Sequence, residues 1–182
     1  MARTRIRSFI AVEVPRDTAR EIEQFLAKVS KAVQGVRWVK TGGFHLTLQF
    51  LGEVEEALID QIKDRMNDVS SHHRVFHLTP KEIGCFPSPE RPRIIWLGFQ
   101  GDLEALETLQ REVAGEDRRF HPHLTLGRVV DPKRASGITD IIYMGRSAFF
   151  EEFLVKSFSL FKSDLTPSGA EYTKLAEFEL KP

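Results

Sequence analysis

The sequence has one cysteine, no excess of charge of either sign and no long apolar run. Cys85 alone excludes an intramolecular disulfide and a cysteine-based zinc cluster, and it suits a reducing compartment. Lys+Arg and Asp+Glu both number 26, which excludes a protein that coats nucleic acid through bulk charge but not a local basic pocket. No stretch approaches the roughly 20 apolar residues that cross a bilayer, and no signal peptide is recognisable. We therefore expect a cytoplasmic monomer without membrane contacts.

What the sequence does contain is enough apolar material for a substantial core. Of its 182 residues 41% are hydrophobic, and 14 are phenylalanine. A chain of this length typically forms one domain, and no linker or low-complexity stretch divides it. We predict a single domain over residues 1–182.

Hydrophobic periodicity predicts four helices and eight strands. The helices are predicted at 18–33, 58–69, 103–113 and 132–143, with Thr18 and Glu21 at capping-box spacing in the first. The strands are predicted at 7–14, 36–39, 44–51, 74–79, 93–99, 122–127, 153–163 and 171–180. Their order mixes hairpins with helical crossovers, which is typical of an α+β fold with mainly antiparallel sheets. Strand, helix and a His-Leu-Thr-Leu strand occur once in each half, which favours two lobes that face each other.

The tripeptide His-x-Thr occurs three times, at His45, His77 and His123. With 6 histidines in the chain, chance alone would give roughly 0.3 such tripeptides. Residues i and i+2 of a strand project from the same face, so each imidazole lies beside a threonine hydroxyl while the residue between them points to the core.

This pairing suits the cleavage of a phosphodiester. Histidine gives or takes a proton near neutral pH, and a hydroxyl donates a hydrogen bond to a phosphate oxygen without adding charge. In-line displacement needs an acid and a base on opposite sides of phosphorus. Two His-x-Thr pairs that face each other would supply both, without a metal.

Of the three histidines, His45 and His123 form the preferred pair. Both lie in the repeated tetrapeptide His-Leu-Thr-Leu, whereas the strand of His77 runs directly into Pro80. Arg128 closely follows the second motif, and a guanidinium binds phosphate oxygens at two points. Strict alternation, however, places Arg128 on the leucine face, so it reaches the site only if the strand twists or ends at Gly127.

Four runs of the sequence resemble landmarks of a known family, the two-histidine phosphoesterases, in its branch of RNA 2',3'-cyclic phosphodiesterases, formerly called 2'-5' RNA ligases. These runs are FIAVEVP at 9–15, HLTLQFLG at 45–52, HPHLTLGR at 121–128 and SDLTPSGAEY at 163–172. The resemblance implies a bilobal LigT-like α+β fold, with mainly antiparallel sheets around a central cleft and helices outside.

The resemblance also implies an activity and its residues. The activity is metal-independent hydrolysis of a terminal 2',3'-cyclic phosphate to a 2'-phosphomonoester, with weak reversible 2'-5' joining of RNA ends and no cofactor. The expected partners are RNA ends that carry this cyclic phosphate, tRNA-derived ends among them, or nucleotides. His45 matches the position of the proton donor and His123 that of the proton acceptor. The phosphate-binding positions are matched by Thr47, Thr125 and Arg128.

Three other interpretations stay open from the sequence. In the first, the same site acts on a small cyclic nucleotide or on an ADP-ribose cyclic phosphate. In the second, the protein is a nucleotide- or RNA-binding module that has lost catalysis. The third is a zinc site. His121 and His123 share a strand face and form a potential zinc-binding pair, although no carboxylate accompanies them at ligand spacing. Phe9 and Phe50 are candidates to stack on a nucleobase, but alternation places Phe50 on the core face with the leucines.

Overall fold

The computed structural model describes residues 4–40, 42–115, 120–167 and 169–182. Ser168, which belongs to the fourth of the family-like runs, lies outside these ranges. The described part of the chain forms nine strands and four α-helices, in the predicted order of hairpins and crossovers. The strands are β1 Arg5–Glu13, β2 Val36–Trp38, β3 His45–Glu55, β4 Phe76–Phe86, β5 Ile94–Gly101, β6 Leu124–Val129, β7 Phe153–Val155, β8 Ser157–Thr166 and β9 Gly169–Glu179. The helices are α1 Arg16–Val29, α2 Ile59–Ser70, α3 Leu103–Ala114 and α4 Ile138–Gly145.

All nine of these strands join one curled antiparallel sheet, in the order β7-β4-β5-β6-β3-β1-β8-β9, with β2 beside β6. The sheet has two halves that meet where β3 lies next to β6. In the described ladder these two strands share one residue pair, Leu46 with Leu124. The α+β prediction with antiparallel pairing is confirmed, and the two facing lobes are the two halves of this sheet.

The helices cover one face of the sheet and leave the other to form the cleft. The strand leucines Leu46 and Leu124 are fully buried in the same core cluster as the apolar faces of the helices. That cluster receives Ile22 from α1, Met66 from α2 and Leu106 from α3. Because side chains alternate along a strand, the neighbours of these leucines point to the opposite face of the sheet.

Several element boundaries differ from the sequence prediction. The strand of His77 was expected to end near Pro80, but β4 continues through Pro80 to Phe86. The helix α1 begins two residues before Thr18, which is buried inside its first turn and is therefore not a cap. The partner predicted for it, Glu21, instead accepts a hydrogen bond at Oε2 from the backbone N–H of Glu151, at 3.0 Å. The strand predicted at 153–163 is divided between β7 and β8, and the helix predicted at 132–143 lies at Ile138–Gly145.

No helix in the described ranges is long and apolar enough to span a membrane.

Candidate active site

Both His-Leu-Thr-Leu motifs lie at the seam between the two halves of the sheet. The two leucines that directly follow the histidines pair with each other across β3 and β6. In antiparallel strands this register sets His45 opposite Thr125. It likewise sets Thr47 opposite His123, which lies just before the first residue of β6. The four polar side chains therefore share the face of the sheet that points away from the helices.

Arg128 reaches the same face because β6 contains a bulge. In the ladder with β5, Thr125 pairs with Trp96 and Gly127 pairs with Ile95, so one residue of β6, Leu126, has no partner. The extra residue reverses the alternation beyond it and returns Arg128 to the face of the histidines. The guanidinium lies close enough to lower the pKa of both imidazoles. Strict alternation would place Arg128 on the leucine face, and the bulge is the reason why it does not.

The two imidazoles are held in the same way, each by the backbone two residues before it. Nδ1 of His123 lies 2.7 Å from the carbonyl oxygen of His121. Since a carbonyl only accepts hydrogen bonds, Nδ1 carries the proton and Nε2 of the neutral ring is left as an acceptor. His45 makes a corresponding hydrogen bond to the backbone of Gly43.

Burial keeps both rings neutral when the cleft holds no anion. The pKa of His45 is lowered to about 4, chiefly by burial and then by the charges of Arg128 and His123, against the raising effect of the Gly43 hydrogen bond. The pKa of His123 is also lowered, chiefly by burial and then by the nearby His121 and Arg128. The charge of His123 thus acts on His45, which places the two rings within electrostatic range of each other.

The buried His45 should make the stability of the protein depend on pH. Its pKa is about 4 in the native state and about 6.5 in the unfolded chain, so between these values the unfolded state binds more protons. Stability then rises with pH: the contribution is complete above about 6.5 and is lost as the pH falls to 4. A difference of this size corresponds to about 3 kcal/mol, which urea unfolding of the wild type at pH 7 and at pH 4 should reveal.

The variant His45→Gln removes the titrating group and should lose correspondingly less stability over this interval. His77→Gln is the matched control, because the His77 side chain is 53% exposed. If His45→Gln and the wild type lose stability in parallel as the pH falls, the burial of a neutral His45 is refuted.

Aromatic rings surround each histidine on its own side of the seam. The rings of Phe9 and Tyr172 lie 4.7 and 5.0 Å from that of His45, measured between centroids. On the other side Phe86 lies 5.2 Å from His123. The aromatic walls explain why both imidazoles are poorly hydrated although they border a cleft.

The prediction that Phe50 belongs to the core is wrong. The residue is 69% exposed and its ring lies 6.2 Å from that of Phe9, on the cleft face. The cause is a bulge in β3, where Thr47 pairs with Ala11 and Gln49 with Ile10, so that Leu48 has no partner. The alternation reverses at that point, as it does in β6.

Two other histidine sites are suggested by the sequence: the third His-x-Thr tripeptide, at His77, and the potential zinc-binding pair of His121 and His123. His77 is on β4, where its backbone N–H donates to Oδ2 of Asp102 at 2.9 Å, at the start of α3. The ring centroids of His121 and His123 are 6.1 Å apart. Within the described residues no three histidine, cysteine, aspartate or glutamate side chains form a group suited to a metal ion.

Comparison with known proteins identifies the family. The LigT like phosphoesterase family matches residues 12–96. A relative from Archaeoglobus fulgidus named RNA 2',3'-cyclic phosphodiesterase is 35% identical, over 96% of this chain and 100% of its own. One of the same name from Methanocaldococcus jannaschii is 31% identical, over 95% and 100% of the two chains. This chain belongs to the LigT-like phosphoesterase family.

Solved structures of LigT-like proteins share the fold. A protein of Thermus thermophilus superposes with a TM-score of 0.77 at 27% identity, over 97% of this chain and 98% of its own. E. coli LigT in complex with ATP superposes with a TM-score of 0.75 at 25% identity, over 98% and 99%. The LigT-like fold expected from the four sequence runs is confirmed.

The sequence gives no sign of three aromatic residues around the paired histidines in this LigT-like cleft. Tyr172 is only part of a family-like run, and no motif indicates a role for Phe86 or Trp96. In the structure Tyr172 contacts the His45 ring, and the Phe86 ring lies 5.3 Å from that of Trp96 and 5.2 Å from that of His123. They come from strands distant in the sequence, so no local pattern could have indicated them.

Proposed function

We propose that this protein is an RNA 2',3'-cyclic phosphodiesterase that opens a terminal cyclic phosphate to a 2'-phosphomonoester. The observation that carries the proposal is the seam of the sheet. Two His-x-Thr pairs lie opposite each other there, with Arg128 within electrostatic range of both histidines. Membership of a family whose relatives bear this name gives independent support.

In the proposed reaction His123 is the general base and His45 the general acid. Nε2 of His123 takes a proton from water, the water oxygen attacks phosphorus, and the bond from phosphorus to O3' breaks. His45 gives its proton to the departing O3', which becomes a hydroxyl, while the phosphoryl group stays on O2'. Thr47, Thr125 and Arg128 bind the non-bridging oxygens, where negative charge accumulates in the transition state.

The substrate itself prepares His45 to act as the acid. The low pKa of His45 leaves it neutral in an empty cleft at neutral pH. A phosphodiester anion between the histidines favours the protonated ring and raises its pKa. The acid is thus charged when the anion is bound, and a proton enters the cleft together with the substrate.

The decisive test is incubation with a short RNA that ends in a 2',3'-cyclic phosphate. We expect opening of the ring, with the phosphate retained on O2'. Excess chelator should leave the rate unchanged, and loss of activity in chelator would instead favour a zinc hydrolase that uses His121 and His123. Formation of a 3'-phosphate would refute the assigned geometry of attack. Tight binding of the RNA without any product would favour a binding module that has lost catalysis.

A further inference from the structure

A cavity of about 550 Å³ opens beside His45, on the side of the cleft that α1 closes. This volume falls within the range of small-molecule sites and suits one nucleotide. The aromatic part of the wall includes His45, Phe9 and Tyr172, and the polar part from α1 consists of Arg16, Arg20 and Glu23. Because Phe9 and Tyr172 also contact the His45 ring, the cavity is continuous with the proposed reaction centre.

The polar wall is one face of α1. Arg16, Arg20 and Glu23 are spaced by four and three residues, so they project from the same side of the helix. The opposite side is apolar, and its Ile22 and Val29 are buried in the core. The amphipathic pattern that fixes the helix on the sheet therefore also turns two guanidinium groups and a carboxylate toward the cavity.

The two arginines are the cations of this wall that are available to a ligand. Lys174 also lines the cavity, but its ammonium group is bound to Glu13, whose hydrogen bond raises the pKa of the lysine. Within the described residues Arg16 makes no ion pair. Arg20 contacts Asp17 at 3.3 Å, but both side chains are largely exposed, and such surface pairs hold a side chain only weakly.

The chemistry of the lining indicates which ligand the cavity suits. Arg16 and Arg20 offer two guanidinium groups to an anion, and Phe9 and Tyr172 offer aromatic rings to a flat group. Guanidinium groups bind phosphate oxygens, and nucleobases stack on aromatic side chains. A ligand that combines a phosphate with a flat ring is a nucleotide.

We infer that this cavity binds the nucleotide immediately upstream of the cyclic-phosphate terminus of the RNA. The inference rests on the proposed function, in which His45 protonates O3' and so lies on the ribose side of phosphorus. The described residues that line the cavity include His45 but not His123, so the cavity lies on the ribose side of phosphorus, toward which the RNA chain continues. The phosphate that joins the two nucleotides then meets Arg16 and Arg20.

The test compares two substrates: a cyclic mononucleotide, and a dinucleotide that ends in a 2',3'-cyclic phosphate. The wild type should turn over the dinucleotide with a kcat/KM about tenfold higher or more, as expected for charge-assisted contacts to one added phosphate. The double variant Arg16→Ala/Arg20→Ala should reduce kcat/KM for the dinucleotide to that of the mononucleotide. Its kcat/KM for the cyclic mononucleotide should stay at the wild-type value, which also demonstrates that the variant is folded.

The matched control is Lys28→Ala/Lys31→Ala, which removes two charges from the exposed end of the same helical segment, away from the cavity. It should retain the wild-type preference. A dinucleotide preference that survives in the arginine double variant, or that is absent from the wild type, would overturn the inference while leaving the phosphodiesterase intact. Absence of turnover with both substrates in the wild type would instead overturn the proposed function, and this subsite with it.

Discussion

Replacing His123 by alanine is expected to lower kcat on a cyclic-phosphate RNA end by about 10² to 10⁴-fold, the range for loss of a general base or acid. Its Nδ1 is bound to the carbonyl of His121, which leaves Nε2 as an acceptor, as the proposed general base requires. Single-turnover measurement with a labelled RNA end separates this chemical step from binding.

His45→Ala should cause a loss of similar size, and the pH dependence of the residual activity should separate the two roles. A base must be neutral and an acid must be protonated. The variant without the base should therefore lose the fall in rate at low pH. The variant without the acid should lose the fall at high pH. An exchange of these two limbs would reverse the assigned roles.

His77→Ala is the matched control for both variants, since His77 belongs to the third His-x-Thr tripeptide but lies on β4 beside Asp102. It should retain wild-type turnover. Retained activity in either His45→Ala or His123→Ala would remove that residue from the mechanism, whatever the control shows.

Arg128→Ala should cost about 10² to 10³-fold in kcat, as does loss of one donor to the charge that develops in a transition state. Arg128→Lys keeps the positive charge but not the planar two-point contact, so we expect an intermediate rate. Since the charge of Arg128 lowers the pKa of both histidines, its removal should also move the pH profile of the residual activity to higher pH.

The control for charge alone is Arg146→Ala, because Arg146 is exposed and packs over the ring of Tyr143 on the outer surface. It should have wild-type kinetics. If Arg128→Ala lowers activity but leaves the pH profile unmoved, Arg128 does not lie against the imidazoles as described.

Local patterns were sufficient to predict the strands of the site and the pairing of His45 with His123. Alternation around each His-Leu-Thr-Leu motif places its leucines in the core, and Leu46, Leu48, Leu124 and Leu126 are all buried. The repeated tetrapeptide is what separates these two motifs from the tripeptide at His77 in the sequence, and the family-like runs agree with that choice.

The faces of Phe50 and Arg128 could not be predicted, because each depends on pairing with a distant strand. The bulge at Leu48 is defined by the register with β1, and that at Leu126 by the register with β5. The alternation within a strand can be predicted from a single sequence. The position of a β-bulge cannot, because it depends on the register with the adjacent strand. The predicted start of α1 was also wrong, because Thr18 is buried inside the first turn of the helix and does not cap it.

Because of the bulges in β3 and β6, both motifs place cleft-facing side chains at the same two positions after the histidine. Counted from its histidine, each strand presents a hydroxyl at the second position and a cleft-facing side chain at the fifth, Phe50 in one half and Arg128 in the other. One half thus contributes a flat apolar surface where its counterpart contributes a cation. The two halves of a nearly repeated framework therefore differ in the chemistry that they offer to a ligand.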